Sequence, residues 1–409
     1  MTPLPEAQRL VLGHIRRLPV VQVPLREASG LVLAEEAVAP EPVPPFDNSA
    51  MDGYAILAGD TATAPVELQV VGDLPAGVAP RSRVEPGQAI RIMTGAPIPP
   101  GADAVVRVED TEPLSGRVRV LVPVASGTAV RRAGGDVAGG TKVFAAGTRL
   151  SPPHIAVLAT LGLDPVPVFR RPRVAICATG DELVPASTRE LPPGSIRNSN
   201  GPMLAALLDE MGAEVVDFGV VKDDYESVRS VLAEAAGSAD MVLTSGGVSM
   251  GEYDLVKKAV EELGEVYLWK VAMQPAKPVV FGRIGSTPFF GLPGNPVSVL
   301  VAFEQMARPA LLAMMGSEVL FRARRTARSR GRIATEGGRT VFVRVRTWED
   351  EAGSWVEPSG DQGSNVLSAL AAADAFAVVP RGVEAIEDGA EVAIELFRLP
   401  ESRTEVAAE

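Results

Sequence analysis

The chain has few of the residues that bind transition metals or form disulfides. Its 409 residues include one cysteine and two histidines. Cys177 alone excludes an internal disulfide, fits a reducing compartment, and leaves no zinc site of ordinary spacing. The residues 247–251 match a GxSxG nucleophile elbow, but a hydrolase of that type carries its histidine after the serine. His14 and His154 both precede it, and His14 lies on the apolar face of a predicted helix over residues 5–18. We therefore expect no serine hydrolase.

The chain also lacks an excess of positive charge and a long hydrophobic run. Its formal net charge is −12, which argues against a general nucleic-acid binder. No stretch approaches ~18 uninterrupted apolar residues, so we expect no membrane-spanning segment. The first residues, MTPLPEAQRL, have neither the basic nor the apolar region of a secretory signal. These absences predict a cytoplasmic protein.

The pattern of residue types changes along the chain. Residues 47–140 contain short β-branched runs broken by Gly and Pro, which predicts an all-β insertion. From Arg173 strands alternate with helices, which predicts a mostly parallel sheet. From about Arg322 the pattern returns to strands, typical of a small barrel. The fold class is therefore a multidomain α/β plus all-β protein, with a three-layer α/β domain.

Three apolar strands end abruptly in glycine-containing turns. These are CATGDEL at 177–183, TSGGVSMGEYD at 244–254 and GLPGNPVS at 291–298. A strand that ends in glycine and then leads into a helix exposes backbone N–H groups near the positive end of that helix. Such turns bind phosphates at the carboxyl edge of parallel sheets. The sequence therefore predicts an anion-binding cleft at this edge.

These three segments, together with PPFDNSAMDGYA at 44–55 and RIMTGAPIPPGADAVV at 91–106, closely resemble the molybdopterin molybdenumtransferase family, which includes MoeA and the E domain of gephyrin. The likeness extends in order over essentially the whole chain. It implies four parts: an elongated linker and dimerisation domain (1–46 and 141–171), a β-rich domain (47–140), an α/β molybdopterin-binding domain (172–317) and a C-terminal barrel (318–409).

The resemblance implies a transferase of molybdenum cofactor biosynthesis. Its substrates would be adenylated molybdopterin and molybdate, AMP would be released, and molybdopterin would be a substrate rather than a cofactor. It also implies a homodimer, with the molybdopterin adenylyltransferase of the pathway as a candidate partner. The adenylyltransferase itself, a tungsten-inserting relative and a non-catalytic scaffold of gephyrin type remain alternatives.

The candidate catalytic and metal-binding residues are mostly carboxylates. Scattered carboxylates without histidine suit a hard cation such as Mg²⁺, held by one or two of them together with substrate phosphates. We expect Asp181 to cap a helix and Glu182 to face the cleft. Asp223 is either a helix cap or a metal ligand, and Asp254 points to the same pocket as a catalytic residue and metal ligand. The resemblance places the active-site aspartate of the family at Asp52, while Asp47 is interpreted as a turn residue.

The remaining candidates would bind substrate or balance its charge. The resemblance assigns the pterin dinucleotide to turn residues of the α/β domain, and the anionic groups to cations and polar residues elsewhere. Lys270 and Lys277 could instead be solvated surface side chains that bind no substrate. Thr94 and Asp136 could equally be turn residues. The assigned residues are Thr179, Gly180, Ser245, Gly246, Gly247, Pro293, Gly294, Asn295, Pro296, Lys270 (catalytic), Lys277, Gln274, Arg131, Thr94 and Asp136.

One position departs from the pattern of the family. Many members carry a lysine where this chain has Gln274, and a glycine where it has Ala276. A glutamine keeps hydrogen bonding but loses a positive charge. We therefore expect the charge of molybdate to be balanced differently here, with Lys277 as the nearby cation that remains.

Overall fold

The computed structural model describes residues 1–247 and 255–399. Asp254 and most of the GxSxG segment lie outside these residues. By internal contacts the chain divides into two compact units. Unit one contains Met1–Gln22, Gly30–Ala34 and Pro167–Glu409, and unit two contains Val23–Ser29 and Glu35–Val166.

The helices are mostly short. In chain order they are α1 Leu4–Gly13, α2 Pro152–Thr160, α3 Asn200–Met211, α4 Tyr225–Ser238, α5 Leu255–Leu263, α6 Pro296–Ala302, α7 Arg308–Met314 and α8 Leu367–Ala371. A π-helical turn, Phe303–Ala307, joins α6 to α7. The combined segment Pro296–Met314 is long and apolar enough to span a membrane by length and composition alone, but 89% of it is buried inside the protein. It is therefore a core helix.

The strands fall into three groups along the chain. The first group is β1 Val20–Val23, β2 Ala37–Val38, β3 Asn48–Ser49, β4 Gly53–Ile56, β5 Val66–Leu74, β6 Gln88–Ile92, β7 Ala104–Arg107, β8 Thr111–Leu114, β9 Arg117–Val120, β10 Val130–Arg131, β11 Lys142–Phe144 and β12 Val166–Phe169. The second is β13 Arg173–Thr179, β14 Leu183–Val184, β15 Ile196–Arg197, β16 Glu214–Val221, β17 Met241–Ser245, β18 Gly264–Lys270, β19 Met273–Gln274, β20 Pro278–Ile284 and β21 Thr287–Leu292. The third is β22 Arg324–Ser329, β23 Ile333–Ala334, β24 Thr340–Asp350, β25 Gly353–Pro358, β26 Ala375–Val379, β27 Ala385–Ile386 and β28 Glu391–Leu396.

The central sheet of unit one has the strand order β16-β13-β17-β21-β20-β18. Its first four strands run parallel, and β20 and β18 are antiparallel additions. Successive residues of β13 enter the cores on opposite faces, with Ile176 in one cluster and Cys177 in the other. A strand covered on both faces needs the continuous apolar run that the sequence shows. The predicted three-layer α/β domain is confirmed.

The C-terminal strands close into a barrel. The order β24-β25-β22-β28-β26 returns to β24 through an additional pairing between β24 and β26. Closure leaves no exposed edge in this ring of strands. The short strand β19 pairs with β24 through Gln274 and Val341, so the barrel lies directly beside the end of the central sheet.

Unit two contains a second sheet, with the order β7-β4-β6-β5-β9-β8. Alternate residues of β4 pack on its two faces, with Ile56 in one cluster and Ala55 in the other. This confirms a β-rich region within residues 47–140. In the same unit β2 pairs with β11, and α2 packs near Leu25.

Helix α1 ends at Gly13, earlier than the predicted end at residue 18. Its buried residues Leu4, Ala7 and Val11 lie in the core cluster that includes Val174 of the central sheet. The N-terminal helix, assigned from sequence to the linker domain, is therefore buried in the core of unit one. The exact division into four domains stays a prediction.

Candidate functional site

A large cleft of unit one lies where the sequence places the glycine-containing turns. It has a volume of about 1300 Å³ and is lined by turns after β13, β17 and β21 and by barrel residues. The carboxyl edge of a parallel sheet is the usual ligand site of such folds. Of the predicted turn residues, it is lined by Thr179, Gly180, Ser245, Gly246, Gly247, Pro293, Gly294 and Asn295.

Gly246 and Gly247 allow the turns after β13 and β17 to approach closely. Both have positive φ, +88° and +66°, a conformation that only glycine adopts at low cost. A Cβ on Gly246 would lie 2.4 Å from the carbonyl oxygen of Thr179, and one on Gly247 would lie 2.6 Å from Thr179 Oγ1. A larger residue at either position would separate the two turns.

The turn after β21 is fixed to the barrel. Asn295 Nδ2 donates to Ser364 Oγ at 2.8 Å, and the N–H of Val297 donates to the Ser364 carbonyl oxygen at 3.2 Å. Pro296 is the first residue of α6, a position where its missing N–H costs nothing. Barrel residue Ser364 therefore positions the N-terminal end of the long core helix.

Carboxylates form one part of the wall. Glu182 and Asp223 both line the cleft, and the Asp223 N–H donates to Asp181 Oδ1 at 3.2 Å. Partial burial and then the charges of Asp181 and Glu182 raise the pKa of Asp223. A bound cation would relieve this repulsion between like charges. Within the described ranges no group of three or more His, Cys, Asp or Glu side chains has the arrangement of a metal site.

The capping prediction for Asp181 was wrong, and the capping alternative for Asp223 is excluded. No helix begins at Asp181, because β13 is followed by a turn and the short strand β14, and the next helix starts only at Asn200. The cap of α4 is Asp224, whose side chain accepts the N–H of Ser227 at 2.9 Å. Asp223 is therefore not a helix cap, which leaves its carboxylate available to the cleft.

The cleft lining also carries cations. They are Lys277 and three barrel arginines: Arg332, Arg339 and Arg344. The sequence analysis missed these arginines because they lie more than fifty residues away and nothing local marks them. Lys270 ends β18 half-buried, outside the set of described residues that line this cleft. Two of these arginines form ion pairs, Arg339 with Glu336, which also lines the cleft, and Arg332 with Glu387.

Arg344 is the most buried of these cations. It is 1% exposed, and its guanidinium donates to the carbonyl oxygens of Asp361 and Val366 at 2.9 and 3.1 Å. Burial lowers its pKa, and the charge of Asp361 opposes that shift. These bonds hold the 361–366 segment, which brings Gln362 and Ser364 to the cleft.

Gln274 lines the cleft beside Lys277. Its Oε1 is buried and has no hydrogen-bond partner among the described residues. A neutral side chain therefore lines the cleft at the position where many family members carry a lysine.

The other predicted residues lie in unit two. The N–H and the hydroxyl of Thr94 each donate to Asp52 Oδ1 at 2.7 Å, and these bonds lower the pKa of Asp52. Asp47 accepts the N–H of Ala133 at 2.8 Å and an ion pair from Arg132, which agrees with its interpretation as a turn residue.

Two further residues of unit two were assigned from sequence. Arg131 is exposed in β10 and pairs with Asn48. Asp136 is exposed in the turn that follows, where its N–H donates to the carbonyl oxygen of Val43 at 3.0 Å. The structure thus joins Asp52 to Thr94 directly and describes Arg131 and Asp136 as surface groups of the same unit.

Fold and site together define a multidomain protein with a ligand cleft between a parallel α/β sheet and a β-barrel. Three family profiles match the chain in order. The MoeA N-terminal region (domain I and II) matches residues 2–162, a probable molybdopterin binding domain matches 175–313, and the MoeA C-terminal region (domain IV) matches 326–397.

Curated relatives agree over nearly the full length. Molybdopterin molybdenumtransferase 2 of Mycobacterium tuberculosis strain H37Rv is 40% identical over 404 residues, covering 96% of this chain and 99% of the relative. The molybdopterin molybdenumtransferase of Nostoc sp. PCC 7120 is 36% identical over 417 residues, covering 96% and 94%. Two solved structures of molybdopterin biosynthesis MoeA protein from Pyrococcus horikoshii align with TM-scores of 0.81 and 0.82 at 36% and 33% identity, covering 97% of this chain and 99% and 100% of those chains.

The chain belongs to the molybdopterin molybdenumtransferase (MoeA) family, a family of transferases in molybdenum cofactor biosynthesis. The family predicted from the sequence motifs is confirmed, and so is the fold class.

Proposed function

We propose that the chain is the enzyme that inserts molybdate into adenylated molybdopterin, with release of AMP. The observation that carries this proposal is the cleft, where glycine turns, carboxylates and cations surround one space of about 1300 Å³. A substrate with a flat ring, a phosphoanhydride and an oxyanion needs all three kinds of lining group.

Each wall has a chemical role in the proposal. Backbone N–H groups of the turns at Gly247 and Gly294 would hold phosphate oxygens. Lys277 and the barrel arginines would offset the negative charge of molybdate and phosphate. Water cleaves the anhydride, which leaves one phosphate on AMP and the other on the pterin. The two dithiolene thiols form bonds to molybdenum, and the oxygen they displace from molybdate leaves as water with the two thiol protons. The activated anhydride makes this step favourable without ATP.

Magnesium fits the acidic wall. Glu182 and Asp223 are oxygen ligands in the cleft lining, and burial together with the charges of Asp181 and Glu182 raises the pKa of Asp223. Asp254, outside the described residues, was predicted as a further ligand. When bound, Mg²⁺ would polarise the anhydride and offset its charge.

The assembly and location are also proposals. We infer a cytoplasmic homodimer in which Asp52, Thr94 and Asp136 of one chain complete the site of the other, with Lys270 as an additional cation. The molybdopterin adenylyltransferase that supplies the substrate is a candidate partner. The net charge of −12 supports a protein that binds neither nucleic acid nor membrane.

A direct assay tests this function. The purified chain is incubated with adenylated molybdopterin, Mg²⁺ and molybdate, and AMP release and pterin-bound molybdenum are followed together. We expect one AMP for each molybdenum inserted. Formation of adenylated molybdopterin and pyrophosphate from ATP would identify an adenylyltransferase instead, and parallel runs with tungstate would reveal a tungsten preference. Absence of turnover with all substrates would favour the scaffold.

A further inference from the structure

A buried amide joins two of the turns that form the cleft. Asn200, the first residue of α3, is 7% exposed and lines the cleft. Its Nδ2 lies 2.7 Å from Ser245 Oγ and 2.7 Å from the carbonyl oxygen of Gly294. Because a carbonyl oxygen only accepts hydrogen bonds, the atom between these groups must be the nitrogen. Both amide protons are used, and the orientation of the amide is settled.

The other side of this amide has no partner. Asn200 Oδ1 is buried without a hydrogen bond among the described residues, and so are Thr179 Oγ1 and Gln274 Oε1, all three from residues that line the cleft. Two of these atoms can only accept hydrogen bonds. Buried acceptors left unpaired are costly, so a ligand that buries this wall must bring donors.

The oxyanions of the substrate cannot supply those donors. Phosphate and molybdate oxygens accept hydrogen bonds at neutral pH, and the cations that suit them, such as Lys277 and Arg339, are other members of the lining. The substrate class offers three sets of donors: the 2-amino group with the adjacent ring N–H of the pterin, the amino group of adenine, and the hydroxyls of the ribose. The pterin edge carries two donors side by side, and adenosine, which carries the other two sets, is the competitor that tests this choice.

We propose that Asn200 determines specificity for the pterin, its Oδ1 accepting a hydrogen bond from the donor edge of the ring. This inference rests on the proposed function and places the pterin against the wall formed by the turns after β13, β17 and β21. The two bonds donated by Asn200 hold Oδ1 in position, so the acceptor is preorganised before the ligand arrives.

The test compares two small pteridines that differ at one group. 2-Amino-4-oxopteridine carries the amine, and 2,4-dioxopteridine carries an acceptor in its place. Titrations of the full-length protein followed by pteridine fluorescence would measure both dissociation constants. We expect the amino compound to bind about tenfold more tightly or better, because a site built to accept a hydrogen bond rejects an analogue that lacks the donor. An adenosine competition tests whether the nucleoside occupies the same wall.

The variant Asn200→Ala removes the acceptor. We expect it to abolish the difference between the two pteridines, whereas a merely structural role would weaken both equally and keep their ratio. Asn198→Ala is the matched control: Asn198 is also buried, at 8% exposure, but its Oδ1 accepts the N–H of Gly201. This control should keep the wild-type ratio.

If Asn200→Ala fails to fold, Thr179→Val removes the unpartnered hydroxyl with little change of shape and should weaken the amino compound selectively. Equal binding of both pteridines to the wild type, no binding of either, or stronger competition by adenosine than by the amino compound would each overturn the inference. Such a result would leave AMP release intact, so it is distinguishable from failure of the proposed function.

Discussion

At the scale of single residues, the cleft is lined by charges of both signs. They include the carboxylates Glu182 and Asp223, and Lys277 with three barrel arginines. Charges in a poorly solvated pocket act more strongly than they do in water. Substitutions that move one charge should therefore change one substrate selectively, rather than all of them.

Gln274 offers the first such test. Gln274→Lys adds a cation beside Lys277, and we expect it to lower the molybdate concentration for half-maximal insertion by roughly fivefold, most clearly at low ionic strength. Lys277→Gln should raise it. Arg283→Gln is the charge control, because it removes an exposed charge of the central sheet that is paired with Glu265. Unchanged molybdate dependence in both cleft variants would place the oxyanion elsewhere, near Arg131 and Thr94, and the assignment of Lys270 would fall as well.

Asp223 gives a pH prediction whose sign follows from its raised pKa. The folded chain holds the proton more tightly than the unfolded chain, so stability is lost as pH rises through the pKa of the folded state and the carboxylate forms. Asp223→Asn should therefore raise the melting temperature at pH 7 without metal, and the gain should shrink as pH falls toward 4.

Metal binding belongs to the same prediction. Mg²⁺ should stabilise the wild type more than Asp223→Asn, and AMP release should stop in excess EDTA and return with Mg²⁺. Scanning calorimetry and the AMP assay measure both effects. Full turnover of a metal-stripped sample in EDTA, or a strict zinc requirement, would contradict the magnesium proposal.

At the scale of elements, the turns after the strands carry the site. Gly246 brings the end of β17 against Thr179 at the end of β13, and Asn200 joins β17 to the turn after β21. The carboxyl ends of the strands are thus linked to each other, so the wall is held by the sheet that positions it.

We expect Gly246→Ala to lower stability by on the order of 1–3 kcal/mol. It combines an unfavourable φ of +88° with a Cβ that would lie 2.4 Å from the Thr179 carbonyl oxygen. Gly285→Ala, in the β20–β21 hairpin, is the matched control: it has φ of +57° and no atom within 4 Å of the added Cβ, so it should cost only about 1 kcal/mol. Urea denaturation of both variants measures the difference. Equal losses would mean that the two turns can separate freely.

At the scale of the whole molecule, the site residues predicted from sequence are divided between two compact units. The cleft lies within unit one, and the bonded pair Asp52 and Thr94 lies in unit two. A closed twofold assembly is the common way to combine such surfaces, and it underlies the proposed homodimer.

Complementation tests that proposal. Asp52→Ala and Glu182→Ala chains, each inactive alone, are coexpressed with different tags and purified as a heterodimer. If the site is shared, one of the two sites is intact, and activity should return to about half of the wild type. Light scattering during the assay verifies the dimer. An active monomer, or a heterodimer as inactive as its parents, would refute the shared site.

The amino-acid sequence by itself determined the strands and their turns. The apolar run of β13 lies buried as predicted, and the glycines of the turn at Gly246 occupy positive φ beside Thr179. These features are local: burial on both faces requires apolar residues throughout, and close approach of backbones requires glycine, so each is visible in a few consecutive letters.

Only the tertiary structure decided what faces the turns. It buried α1 in the core of unit one, made Asp224 rather than Asp223 the cap of α4, and brought Arg344 to the cleft. Each outcome depends on contacts between residues far apart in sequence, or on a one-residue choice between equally suitable caps. Local patterns cannot distinguish such alternatives, because packing and long-range hydrogen bonds set their relative free energies.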